Sequence, residues 1–312
     1  MTTANNEKHN PLWREQRQFL DDLPEQVRDN LFSSDIEADV RAEVWDNQAI
    51  LGETLINQYA WATPDDRAVN IIKQFSPIIE IGCGRNAYWA NLLQEAGVDV
   101  IAYDVSPANG GQVGEGGTQT QSQSQTQIQI QRPKKKYKKS GRSRVQVRRG
   151  GPEVLRGKKI RKSDRSLLLC YPDEGFLVGG EEEDESSSLG SACLDNFSGT
   201  HVIHVGELFG DSISMLNAPF GRSSAPLYQQ RLAGEYHCLL KASLQNYLHC
   251  KDTISVWKRS KRCTIVFEGE NEESSDEETD YKDIPVEERL PLDVASPAWE
   301  HLLRLRPREK AK

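Results

Sequence analysis

Apolar residues recur at three- and four-residue steps through the first part of the chain. Leu20, Leu23, Val27 and Leu31 set the spacing, and Ile36, Val40, Val44 and Trp45 continue it, so residues 11–58 are predicted to be helical. Thr63-Pro64-Asp65-Asp66 reads as the next helix start: a hydroxyl N-cap, proline at the first helical position and acids in the first turn. Ala68, Ile71, Ile72 and Phe75 give that helix one apolar face. Ser76-Pro77 stops it, because the residue before a proline is pushed out of helical conformation.

The period then changes. Ile78 to Ile81 is a short apolar strand running into Gly82-Cys83-Gly84. Asn86 to Ala96 is predicted helical, with Trp89, Leu92 and Leu93 on one face and Gly97 as its C-cap. Val98 to Asp104 reads as a second buried strand, closed by Ser106-Pro107. Strand, helix and strand in so short a span make a βαβ unit, whose two strands lie parallel.

After residue 107 the apolar pattern lapses. Gly110 to Gly117 is glycine-rich, Thr118 to Gln131 alternates glutamine with Thr, Ser or Ile, and Pro133 to Arg144 is rich in lysine and arginine. The glutamine alternation has the period of a strand but no consistently apolar side, so residues 108–144 read as a disordered, low-complexity insertion. Its entropic cost is small, since each doubling of loop length adds only about 0.6 kcal/mol. Pattern resumes at Val145 to Val147 and the turn Gly150-Gly151-Pro152. Further strands are predicted at Leu167–Cys170, His201–Val205, His237–Ala242 and Thr253–Trp257, and helices at Leu189–Leu194 and Ala225–Glu235. Glu181 to Glu185 is an acidic stretch before the first of these helices, and residues 265–312 read as an acidic, mostly disordered tail. The fold class is therefore α/β: a Rossmann-like, doubly wound sheet, mostly parallel, closed by an antiparallel strand at its end. Residues 1–63 form a helical extension and 64–264 the main domain.

Composition supports a folded core carrying unfolded segments. Hydrophobic residues make up 37% of the 312 positions and charged residues 28%. No apolar run approaches the roughly 18 residues of a transmembrane helix, and the polar N-terminus lacks a signal-peptide apolar region, so no membrane association is expected. Six scattered cysteines, none in a Cys-x-x-Cys pair, fit reduced thiols in an intracellular protein. The net charge of −8 hides a segregation of sign. Arg132 to Lys162 holds 15 Lys/Arg and one acid, whereas Glu268 to Glu288 holds 11 Asp/Glu and one lysine. The basic stretch could meet RNA or another polyanion, or pair loosely with the acidic tail. Pro133-Lys-Lys-Lys-Tyr-Lys-Lys also has the look of a nuclear-import signal, so the location is expected to be cytoplasmic or nuclear.

The chemistry is concentrated in Glu80-Ile81-Gly82-Cys83-Gly84, followed 20 residues after Gly84 by Asp104. Two glycines let backbone approach a ligand that a Cβ would exclude. An acid at the end of the second strand can accept hydrogen bonds from both ribose hydroxyls of an adenosine ligand lying across the carboxyl ends of the strands. Glycines alone do not choose the ligand, because Gly82-x-Gly84-x-x-Ala87 also satisfies a dinucleotide-binding pattern. The acid two residues before the first glycine, Glu80, and the run Tyr103-Asp104-Val105-Ser106-Pro107 resemble the first two motifs of the class I S-adenosylmethionine-dependent methyltransferases. The likeness covers roughly residues 64–260, with Asn86 standing where many members have a third glycine. It implies S-adenosylmethionine as cofactor, held by Glu80, Gly82, Gly84 and Asp104, and direct transfer of its methyl group to an acceptor the sequence does not name.

Positioning alone can supply much of such a barrier, so a dedicated base is optional. Tyr171-Pro172-Asp173-Glu174 follows the predicted fourth strand and loosely resembles the Asp/Asn-Pro-Pro-Tyr motif of amino-group methyltransferases. Tyr171 and Asp173, with Glu207 after the next strand, are the candidate catalytic residues at the acceptor end; a plain strand-ending turn is the alternative for that loop. Trp61 is either an adenosine cap or a core residue. His201 and His204 are three apart on one strand and face opposite sides, and His237-Cys238 and His249-Cys250 match no zinc spacing, so no metal site is expected. Tyr247-x-x-x-Lys251 matches a dehydrogenase pair without that family's glycine spacing. Two other functions stay open: a non-catalytic protein of the same fold acting as a scaffold, and a nicotinamide-dependent oxidoreductase.

Overall fold

The computed structural model describes residues 10–31, 33–107, 145–173, 188–210, 212 and 219–260. The expected insertion, the Glu181–Glu185 stretch, Glu174 and the acidic tail lie outside the described residues.

The N-terminal region is helical in three pieces rather than one: α1 (Pro11–Asp21), α2 (Glu25–Asn30) and α3 (Ala38–Gln58). Pro24 makes the first break. It has no N–H to continue a helix, and its carbonyl instead accepts the amides of Val27 and Arg28 that start α2. The second break holds Ser33 and Asp35, whose side chains hydrogen-bond each other and the local backbone in place of a helical turn. In α3 the buried stripe is Val44, Gln48, Gly52 and Leu55, while Trp45 lies off it and is 36% exposed.

The stripe on α3 packs on the chain between the last two strands. The Leu248 amide donates to Gln48, and a Cβ on Gly52 would lie 3.3 Å from the Tyr247 ring. The next helix, α4 (Asp66–Lys73), is capped by Asp65, whose carboxylate accepts the Ala68 amide at 2.6 Å. Thr63 is therefore not the cap that its sequence context suggests. Its hydroxyl donates to Gln16 on α1 at 2.7 Å, and its backbone bridges Gln245.

The main domain then runs β1 (Ile78–Ile81), α5 (Tyr88–Glu95), β2 (Val100–Asp104), β3 (Val147–Arg149), a 3-10 turn (Pro152–Arg156), α6 (Lys158–Arg161), β4 (Ser166–Cys170), α7 (Leu189–Asn196), β5 (His201–Gly206), α8 (Pro226–Glu235), β6 (Tyr236–Ser243) and β7 (Thr253–Arg259). These strands make one sheet in the order β3-β2-β1-β4-β5-β7-β6. The first five are parallel, and β7 runs antiparallel to both β5 and β6. This is the Rossmann-like, mostly parallel sheet with an antiparallel closure that the alternating pattern predicts.

Burial follows the pleat. Leu167 and Leu169 join Ile79, Ile81, Val202, Tyr228 and Leu232 under α7 and α8, while Leu168 joins Ile71, Ile72, Trp89, Leu93 and Val256 under α4 and α5. Helices thus cover both faces. His201 meets Phe75 on one face and His204 meets Tyr228 on the other, which is the opposition that their spacing predicts. Because β2 and β4 lie on opposite sides of β1, the strand order reverses there, which is where open α/β sheets form a ligand crevice outside the carboxyl strand ends.

Candidate functional site

The loop after β1 is tied to the end of β2. The amides of Gly82 and Cys83 donate to the Tyr103 carbonyl, and the Gly84 amide donates to the Asp104 carboxylate at 2.9 Å. The other carboxylate oxygen of Asp104 accepts the Ser106 amide at 2.8 Å. Asp104 therefore holds both loops at the switch point, and each of its oxygens keeps lone-pair capacity for a further donor. Gly82 and Gly84 both have positive φ, +72° and +68°. A Cβ on Gly82 would meet Leu189 at 2.9 Å, whereas one on exposed Gly84 would meet nothing within 4 Å. The first glycine is thus required by the turn and its neighbour, and the second leaves its backbone open to a ligand. Val105, next to Asp104, is an apolar side chain 63% exposed at the same edge. Asn86 donates to the Gln58 carbonyl at 2.8 Å and so fastens the loop to the end of α3.

Glu80 lies beneath this loop, fully buried in β1. Burial raises its pKa to about 8, the Asp104 charge adds to the rise, and a hydrogen bond from the Ala90 amide opposes it. That amide belongs to the first turn of α5, where unpaired N–H groups favour a negative charge. The second carboxyl oxygen of Glu80 has no hydrogen-bond partner. A buried polar group left open, a glycine loop with one face free and a carboxylate with spare acceptor capacity are features that an adenosine ligand could use. Burial, reinforced by the Glu80 and Asp104 charges, pushes the Cys83 thiol pKa strongly up, which disfavours its thiolate.

The other candidates separate into two groups. Asp173 is buried, and its two oxygens accept the Gly190 amide of α7 (3.1 Å) and the Ala225 amide that precedes α8 (3.0 Å). It clasps two helix starts. Glu207 is fully buried after β5, with its oxygens on the amides of Arg222 and Lys251, both at 3.1 Å. Tyr171, in left-handed conformation (φ +51°) at the end of β4, turns its ring toward the opposite layer from Asp173. Its hydroxyl donates to Asp252 at 2.6 Å, and its ring stacks on Trp61 at 5.4 Å between centroids.

Asp252 and Arg222 join this candidate group, and no motif in the sequence points to either. Asp252 reaches the carboxyl end of the sheet because β7 returns antiparallel to β5 with Thr253 opposite Gly206. This residue is fully buried, and its pKa rises to about 7, chiefly through burial, with the Glu207 charge adding to the rise. Arg222 places its guanidinium 5.2 Å from the centre of the Trp61 ring. No spacing in the sequence links Trp61, Tyr171, Glu207, Arg222 and Asp252. Only the antiparallel return and the packing of α3 on the β6–β7 connection bring them together.

A separate apolar cavity of about 540 Å³ lies between α8 and the β6–β7 pair, lined by Leu208, Phe209, Phe220, Gln229, Ala233 and Trp257 among others. It shares no residue with the glycine loop or with Asp104. Among the described residues no group of three or more His, Cys, Asp or Glu side chains could hold a metal ion, and no helix is long and apolar enough to cross a membrane.

No family model matches the sequence, and no curated protein sequence matches it. Two solved structures of magnesium protoporphyrin IX methyltransferase from Synechocystis PCC 6803, one with bound SAM and one with bound SAH, align with 83% of this chain. They are covered over 96% and 100% of their own lengths, at 10% and 11% identity and TM-scores of 0.33 and 0.34. Similarity at that level bears on neither activity nor substrate, and the fold assignment rests on the sheet order itself.

Proposed function

We propose that the chain is an S-adenosylmethionine-dependent methyltransferase. The observation that carries this reading is the junction at the switch point, where the Gly84 amide meets the Asp104 carboxylate. In this reading Asp104 accepts the ribose hydroxyls, Gly82 and Gly84 let the backbone approach the cofactor, and the unpaired Glu80 oxygen offers a hydrogen-bonding group beneath the loop. The bound cofactor contributes a sulfonium that makes its methyl group electrophilic. The protein's own work is to orient the acceptor and exclude water. Residues 64–264 form the transferase unit, and residues 1–63 close one side of it through α1 and α3.

Tyr171 walls the acceptor side, at the end of the strand beside β1. Asp173 and Glu207 act there as positioning residues, since each already uses both oxygens on backbone amides. That same engagement favours a second reading, in which the domain binds ligand without turnover and serves as a scaffold. Transfer of a labelled methyl group to cell extract fractionated into protein, RNA and small molecules separates the two. Tyr171→Ala and Asp173→Ala are expected to lower transfer far more than cofactor affinity, the pattern of groups used in positioning. Parental transfer rates in both variants would exclude the acceptor-side assignment.

A further inference from the structure

The group at the carboxyl ends of β4 and β5 is unusual in its charge. Two carboxylic acids, Glu207 and Asp252, are fully buried there, and the Glu207 charge adds to the burial that raises Asp252. Two aromatic rings, Trp61 and Tyr171, stack beside them. The half-buried Arg222 is seated over the Trp61 face and forms no salt bridge among the described residues. Burial works against its charge, but the combined fields of Cys250, Tyr171, Asp252 and Glu207 outweigh that cost and hold it more firmly protonated. The pocket thus stabilises a positive charge by two independent means, an aromatic face and buried acids. An incoming carboxylate or phosphate would have to approach two buried acids. An ammonium or guanidinium would meet neither obstacle.

Resting on the methyltransferase reading, we propose that the Trp61–Tyr171–Glu207–Asp252 box is the acceptor subsite and takes a cationic nitrogen group, with Arg222 as its resting occupant. Arg222 directly follows Gly221, whose φ of +77° makes the turn that brings the arginine to the Trp61 face. An acceptor cation would take the Trp61 face while Arg222 withdraws. The consequence is that removing Arg222 should help the acceptor bind.

The test uses the full chain, labelled S-adenosylmethionine and cell extract separated on cation and anion exchangers. Acceptor activity is expected in the fraction retained by the cation exchanger. Arg222→Gln should lower the acceptor KM by about two- to fivefold, the size of one exposed cation–aromatic contact. Asp252→Asn and Trp61→Leu should each raise it, and none of the three should shift S-adenosylmethionine affinity measured by calorimetry. Arg222→Gln that raises the acceptor KM, or that unfolds the protein, would make Arg222 a structural countercharge and overturn the proposal. So would label arriving only in the anion-exchange fraction, or cofactor binding with transfer to neither fraction. No cofactor binding by the parental protein would instead remove the methyltransferase reading, and this inference with it.

Discussion

Glu80→Gln should make the protein more stable at alkaline pH and flatten its stability profile. Burial is the largest influence on the Glu80 carboxyl and raises its pKa from 4.5 to about 8, with the Asp104 charge adding and the Ala90 amide opposing. The folded protein therefore holds this proton more tightly than the unfolded chain does. The resulting stability is fully present below pH 4.5 and is lost as pH rises through about 8. At about 1.4 kcal/mol per pKa unit, the full span sets a ceiling of about 5 kcal/mol. Relaxation around a buried charge and water entry reduce it, so an effect of about 2–4 kcal/mol is expected. Glutamine keeps the shape and the acceptor for Ala90 but cannot ionise. Asp252, raised by burial to about 7, and His204, lowered by burial to about 4, titrate in both proteins and cancel in the difference. Urea unfolding of both proteins at about pH 5 and about pH 8.5 reads that difference directly. Near-equal stability at the lower pH and a clear advantage for the variant at the higher one are expected. Parallel profiles would refute the buried, proton-holding Glu80.

Asp104→Ala should weaken S-adenosylmethionine binding by roughly tenfold to a hundredfold, the loss of one charged hydrogen-bond acceptor. Asp104→Asn, which keeps one acceptor oxygen for the Gly84 amide, should lose less, and unchanged affinity in a folded Asp104→Ala protein would rule out the pocket. Deleting residues 110–142 should leave thermal unfolding and cofactor binding unchanged, because β2 and β3 pair on either side of that stretch. If the stretch binds RNA, binding should be salt-sensitive and vanish with the deletion.

Much of the fold was legible because its strands and helices differ in period. Ile78–Ile81, Val100–Asp104 and Ser166–Cys170 stand where short apolar runs predict them, and the glycines after β1 mark the first turn. The failures have local physical causes. Pro24 and the Ser33–Asp35 turn split an apolar repeat that looked continuous. Thr63 lost the cap of α4 to Asp65 because its hydroxyl is used on Gln16. On the cofactor side, the contact between Gly84 and Asp104 joins two motifs that the sequence had already paired. The proposed acceptor group was less readable, since Asp252 arrives by register across an antiparallel strand and Arg222 by a loop, and neither relation leaves a spacing in the chain. Asp173, a candidate catalytic residue by its place after β4, spends both oxygens on two helix starts.

The central claim is that the crevice at the β1–β4 switch point holds S-adenosylmethionine. Titration calorimetry of the purified full chain with S-adenosylmethionine, S-adenosylhomocysteine, NAD and NADP, at one fixed salt concentration, tests it most directly. Saturable one-site binding of the first two, abolished or strongly weakened in Asp104→Ala, and no heat from either nicotinamide cofactor is the result expected. Binding of NAD or NADP in their place, or of none of the four, would contradict the account.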